Sequence, residues 1–167
     1  MILLDTSILS SFARVGALVL LWELFPRSPV GITPAVLREI LEAVALGRAW
    51  LAQIPGLVQG GRLQLAAPTP AEILASEALP DSLGLGEREA IALCKAHRWV
   101  FLTNDRRARN FCTEVAVEAF DAAALLRLLW TAGVRSKKFV RALLQRMEET
   151  EGLVLKNKET IFKQVRR

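Results

Sequence analysis

The chain has 167 residues, 52% of them hydrophobic and 23% charged, with a net charge of +5. That length fits one domain with a single core, and so apolar a composition excludes a disordered chain. The longest apolar run, residues 15–25, is about half of the roughly 20 residues a membrane helix needs and is broken by Glu23, which excludes a span there.

Ile2 to Leu4 is a short, fully apolar run, the pattern of a buried parallel strand, and it stops at Asp5-Thr6-Ser7. No positive side chain precedes this run and a carboxylate follows it at once, so a secretory signal is not expected and the cytoplasm is the expected compartment. Thr6 or Ser7 can cap the helix that follows, in which Ile8, Leu9, Phe12 and Ala13 recur at helical spacing. Residues 15–25 read as a core helix. Gly31-Ile32-Thr33 reads as a second strand. Pro34 then suits the first position of a helix with Val36, Leu37, Ile40, Leu41 and Val44 on one side and Glu39 riding along it. Gly60-Gly61 marks a turn, Leu63 to Ala66 a short strand, and residues 71–78 a helix.

Residues 80–86 read as a loop. A helix runs from Glu87 to Ala96, then a buried strand, Trp99-Val100-Phe101-Leu102, and then Thr103-Asn104-Asp105 opens another helix. Val115 to Val117 reads as the last strand, and residues 122–130, 137–148 and 159–165 as helices. Helices alternating with short apolar strands argue for an α/β fold whose short parallel sheet is covered by helices on both faces, with the working site at the C-terminal ends of the strands. Residues 135–167 hold ten basic side chains against four acidic ones, so the domain is expected to end in a basic helical segment. A solvated face and a nucleic-acid surface are both open readings of it. Cys94 and Cys112 are too few and too far apart for a metal knuckle or a disulfide framework and read as small buried side chains. The lone histidine, His97, ends a helix, where contact with the terminal carbonyls is expected. Trp22, Trp50, Trp99 and Trp130 have apolar neighbours and read as packing residues rather than base-stacking ones.

Only four aspartates occur, at positions 5, 81, 105 and 121, and Asp5 and Asp105 closely follow strands. A carboxylate at the end of a buried strand is costly unless a helix N-terminus, an arginine or a metal ion meets it. For each of the two, helix cap and metal ligand both remain open. Glu87 shares a helix stripe with Ala90, Ile91 and Cys94, whereas Glu89 lies on another with Leu93 and Ala96.

Four segments, Met1-Ile2-Leu3-Leu4-Asp5, Pro34-Ala35-Val36-Leu37-Arg38-Glu39, Gly86-Glu87-Arg88-Glu89-Ala90 and Leu102-Thr103-Asn104-Asp105, resemble in order the four acidic segments of PIN domains. The match spans most of the chain. Gly86-Glu87, the run Asp105-Arg106-Arg107-Ala108-Arg109, and Gly133-Val134 before a basic helix are similar to one PIN subgroup in particular. Many toxin PIN domains carry Asp-x-x-Phe at the fourth acid; here Ala108 stands in the Phe position.

The resemblance implies a PIN-like three-layer fold over residues 1–167. It also implies an acidic cluster of Asp5, Glu39, Glu87 and Asp105, in which Asp5, Asp105 and Glu87 hold the metal and Glu39 acts through a water. Thr103 would place a hydroxyl near the metal or its water, and Glu89 stays open as the third acid in place of Glu87. An all-carboxylate site suits Mg²⁺ or Mn²⁺. Arg106, Arg107 and Arg109 are expected either to clamp substrate phosphates or to neutralise the acids. The implied activity is a metal-dependent endoribonuclease cleaving single-stranded RNA, as the toxin of a toxin-antitoxin pair, against the alternative of a non-catalytic RNA- or protein-binding module. A small antitoxin and a homodimer through residues 15–25 and 122–130 are the implied protein partners. A nucleotide-binding domain fits less well, because no G-x-G-x-x-G follows the first strand and no P-loop is present.

Overall fold

Strands that are apolar at consecutive positions can be buried only if both faces are covered. The computed structural model, which describes residues 1–151 and 158–163, resolves this in five short parallel strands. They are β1 (Ile2–Leu4), β2 (Val30–Ile32), β3 (Gln64–Leu65), β4 (Val100–Leu102) and β5 (Ala119–Phe120), in the order β3-β2-β1-β4-β5. Ile2 and Leu4 enter one core and Leu3 the other; Val100 and Leu102 face the first and Phe101 the second.

Among the described residues ten helices supply the two covers: α1 (Thr6–Arg14), α2 (Val19–Leu24), α3 (Pro34–Ala45), α4 (Ile54–Gln59), α5 (Pro70–Glu77), α6 (Leu85–His97), α7 (Arg106–Glu114), α8 (Ala122–Thr131), α9 (Lys137–Glu151) and α10 (Lys158–Phe162). The first core takes Ile8 and Phe12 of α1, Leu21 of α2, Val36 and Ile40 of α3, Leu126 of α8 and Val140 of α9. The second takes Ala90, Ile91 and Cys94 of α6 with Ala108 and Cys112 of α7. This is a three-layer α/β fold. No helix among the described residues is long and apolar enough to cross a membrane.

The chain moves from β1 outward to β2 and β3, then crosses back to place β4 on the other side of β1. That reversal opens a crevice at the C-terminal ends of β1 and β4, where open α/β sheets bind their ligands. The register pairs Leu4 with Leu102, and the Asp5 N–H donates to the Leu102 carbonyl at 2.9 Å. The residues that follow the two strands are therefore neighbours.

Several local expectations change. Residues 115–117 are the exit from α7 and not a strand: Ala116 is left-handed (φ +58) and the Val117 N–H donates back to the Cys112 carbonyl at 2.8 Å, closing the helix end. The edge strand starts two residues later. Within 15–25 only α2 is helical, because Gly16 (φ +65) turns the chain first. A 3-10 turn at Ala49–Leu51 and α4 occupy a stretch with no foreseen element. Of the segments expected to carry a dimer contact, Leu20, Leu21, Leu125, Leu126 and Leu129 are core, which leaves Val19 and Leu128 exposed. His97 does not cap its helix; its Nε2 sits 2.6 Å from Glu72 Oε1 and its ring stacks on Trp99, joining α5 to α6. Both cysteines are buried and unpaired, and burial raises the thiols to about 12 at Cys94 and about 11 at Cys112, so both stay protonated. Of the expected helix 159–165 and basic segment, residues 164–167 and Lys156 lie outside the described residues.

Gly86 lets α6 approach α3 closely. A Cβ there would stand 2.8 Å from both Glu39 Oε1 and Val36 Cγ2. Gly86→Ala is therefore expected to lower unfolding free energy by about 1–3 kcal/mol despite better helix propensity. Gly56→Ala, in α4 with nothing within 4 Å of the new methyl, is expected to raise it by about 0.5–1 kcal/mol. Urea midpoints of the two variants check the pair; equal shifts would contradict the close contact at Gly86.

Candidate active site

Asp5 takes the backbone N-cap position of α1, and its carbonyl accepts from the Leu9 N–H at 3.1 Å, but its side chain makes no capping bond. Neither do the side chains of Thr6 and Ser7, which were expected to cap. Instead Asp5 Oδ2 accepts from Ser7 Oγ at 2.7 Å and from Thr103 Oγ1 at 2.8 Å, while Asp5 is 7% exposed. Thr103 is fully buried and also accepts from the Asp105 N–H at 3.0 Å, so one hydroxyl ties the first acid to the loop of the fourth. Asn104 completes the seam: its N–H donates to Ser7 Oγ at 3.0 Å, its Nδ2 to Ser11 Oγ at 3.2 Å, and its Oδ1 accepts from the Ala122 N–H at 2.9 Å.

Asp105 does cap its helix, with Oδ1 accepting from the Ala108 N–H at 2.9 Å. Glu87, the third residue of α6, accepts through Oε2 from the Gly84 N–H at 2.8 Å. Glu89 turns elsewhere and accepts from the Ala35 N–H at 3.0 Å, at the start of α3. Glu39 spends both oxygens, Oε2 on Thr6 Oγ1 at 2.6 Å and Oε1 on the Gly86 N–H at 3.3 Å. It fastens α3 to the starts of α1 and α6.

Asp5, Glu87 and Asp105 line one groove of about 630 Å³. Each keeps one oxygen without a hydrogen-bond partner among the described residues: Asp5 Oδ1, Glu87 Oε1 and Asp105 Oδ2. No lysine, arginine or histidine among the described residues forms an ion pair with any of these three or with Glu39. Glu87 registers that imbalance. Burial raises its pKa above the ordinary 4.5, and the charges of Asp5, Asp105 and Glu39 push it further up, against the lowering effect of the Gly84 amide.

Oxygen-only donors with no protein cation suit a hard divalent ion. Among the described residues no three Asp, Glu, His or Cys side chains close into a ready-made ligand set. The donor chemistry, oxygens alone, is what Mg²⁺ takes, and that ion commonly keeps several waters beside one or two carboxylates. By donor chemistry the residues present fit the ion, and of the three groove carboxylates Asp5 is the one held by two side-chain hydroxyls.

The three arginines after the fourth acid behave differently from one another. Arg109 donates to the Thr103 carbonyl at 2.8 Å and pairs with Asp121 at 3.3 Å, which fixes the β4 to α7 turn. Arg107 donates to the Ser82 carbonyl at 2.9 Å, and Arg106 is exposed. None of them lines the groove, whose basic residues are Arg14 and Arg48, with Trp50 beside them. Sequence reasoning passed over Arg14, Arg48 and Asn104 and read Trp50 as a packing residue rather than a base-stacking one. Arg14 was findable, since it lies seven residues after Ser7 on the same helix stripe.

A family model described as a PIN domain matches residues 1–165 of the chain. No curated protein and no solved structure matches it.

Because the Glu87 pKa is raised in the folded state, the unfolded chain loses this proton at lower pH than the folded one. The protonated group's contribution to stability is therefore full below about pH 4.5 and is lost as pH rises through the raised value. Glu87→Gln should melt about 1–3 °C above the parent at pH 7 in EDTA, a modest gain because the group is partly exposed. The gap should close below about pH 4. Calorimetry at the two pH values checks this, and a gap that widens in acid would contradict the assigned cause.

Proposed function

Because the chain belongs to the PIN-domain family, whose members are generally nucleases and typically use divalent metals, we propose that it is a metal-dependent endoribonuclease acting on single-stranded RNA. One observation carries the reading: three carboxylates share a groove at the ends of β1 and β4, each with an oxygen that has no partner among the described residues and none in an ion pair with a cation among them.

In this reading Asp5, Asp105 and Glu87 hold Mg²⁺ or Mn²⁺. When bound, the ion makes a water more acidic and offsets charge developing on the phosphate. Hydrolysis adds the water oxygen to phosphorus and breaks the bond to the leaving ribose oxygen. The chain's own part is positional. Thr103 and Ser7 lock the Asp5 carboxylate through two hydroxyls, so little reorganisation is needed as the reaction proceeds. Asp105 is held by the amide it caps, and Glu39 keeps α1, α3 and α6 in register without lining the groove. Glu87 completes the set through Oε1, its one oxygen without a hydrogen-bond partner among the described residues. Arg106 and Arg107 lie outside the groove and are available to phosphates further along the strand.

The wider reading has residues 1–167 acting as one cytoplasmic domain, a toxin whose antitoxin covers the groove, with homodimers formed through helices. The open spacing of the carboxylates favours one alternative, a non-catalytic PIN-like module that binds RNA or a protein.

Purified protein should cut a labelled single-stranded RNA with Mg²⁺ or Mn²⁺ and not in EDTA, and Asp5→Asn and Asp105→Asn should each lose about 100-fold or more. Mg²⁺ should also raise the melting temperature of the parent and leave Asp5→Asn unmoved. Folded protein that binds RNA and cuts with neither ion would select the binding module.

A further inference from the structure

Helix α1 carries a polar stripe. Ser7, Ser10, Ser11 and Arg14 recur at helical spacing and all line the groove that opens at Asp5. At about 1.5 Å per residue the helix carries Arg14 roughly 13 Å along from Asp5. There its guanidinium lies 4.0 Å over the Trp50 ring, and Trp50 Nε1 donates to Ser10 Oγ at 3.0 Å. The indole is half-buried, packed against the first core and exposed on the groove. Arg48, two residues earlier, is exposed and lines the same wall.

The charge arrangement is informative. Asp5, Glu87 and Asp105 share this groove, yet neither Arg14 nor Arg48 pairs with a carboxylate among the described residues. An arginine serving only to neutralise the acids would be drawn to them. Arg14 instead places its guanidinium carbon over an indole anchored by its own hydrogen bond. Trp22 has a comparable cover from Arg62 at 4.9 Å but lines a separate cleft, away from the acids. The groove is thus acidic at one end, with an aromatic-cationic platform at the other and beside it an arginine that forms no ion pair among the described residues.

We propose that Arg14, Trp50 and Arg48 form a nucleotide subsite for single-stranded RNA. One unpaired base stacks on the Arg14–Trp50 platform, and Arg48 meets a neighbouring backbone phosphate. The proposal rests on the nuclease reading for its direction: it places the stacked nucleotide one helix length from the scissile phosphate. Aromatic and guanidinium faces accept any base, so the subsite selects for unpaired strands and not for sequence. A base inside a duplex offers no free face, which makes the groove a filter against double-stranded substrate.

The test is binding of a fluorescein-labelled ten-nucleotide oligouridine to the full chain, read by anisotropy in EDTA so that nothing is cut. Trp50→Ala should weaken binding roughly 5- to 100-fold, and Trp50→Phe should stay within about threefold of the parent. Arg48→Gln should flatten the dependence of log affinity on log salt by about 0.7, the value for one phosphate contact on a single strand. A duplex of equal length should bind the parent more weakly and ignore Trp50→Ala. Parent-like affinity in folded Trp50→Ala, or duplex binding equal to single-strand binding, overturns the subsite. If Trp50→Ala does not fold, an unchanged salt slope in Arg48→Gln overturns it. Cleavage assays separate the two readings: cutting that is intact in Trp50→Ala at limiting RNA removes the subsite alone, whereas Trp50-dependent binding without cutting under any metal removes the nuclease alone.

Discussion

The hydrogen bond from Thr103 to Asp5 is the contact on which the site depends. It exists because β1 and β4 are adjacent and in register, so that the residues just past Leu4 and Leu102 must meet. The same hydroxyl receives the Asp105 N–H, and the Ser7 hydroxyl receives the Asn104 N–H while donating to Asp5. A carboxylate this buried, with two hydroxyls on one oxygen and the other open to the groove, is fixed before any ligand arrives. Such preorganisation is what a site acting on phosphate needs.

The cost of the arrangement falls on stability. Burial and three like charges keep Glu87 above the ordinary carboxylate range, and no basic side chain among the described residues forms an ion pair with the cluster. The two cores carry that load, with large side chains such as Phe12, Ile40 and Phe101 fully buried on either face of the sheet. Gly86 shows how tightly the layers are drawn together around the acids, since it admits Glu39 and Val36 into space a methyl would fill.

Much of this was legible in the sequence because the pattern is coarse and repeated. Two short apolar strands, each followed by a carboxylate and a helix, specify where Asp5 and Asp105 lie, and the four acidic segments carry the family. What could not be read is direction. Asp5 and Asp105 occupy equivalent cap positions, yet only the Asp105 side chain caps, because Asp5 finds two better-placed hydroxyls. Glu87 and Glu89 differ by two positions on one helix, and only coordinates reveal that Glu89 serves the start of α3. Val115 to Val117 looked like a strand because it is apolar, whereas Ala116 in the left-handed region ends a helix there. Apolar neighbours also concealed Trp50, half of which is core and half groove wall.

The most direct test of the account is where a divalent ion binds. Crystals of the protein soaked in Mn²⁺ would locate the ion by its anomalous scattering. The account predicts a peak in the groove within about 2.0–2.3 Å of an Asp5 carboxylate oxygen, with the remaining positions taken by Asp105, Glu87 or water. A groove without manganese at saturating concentration, with Asp5 still held by Ser7 and Thr103, would contradict it.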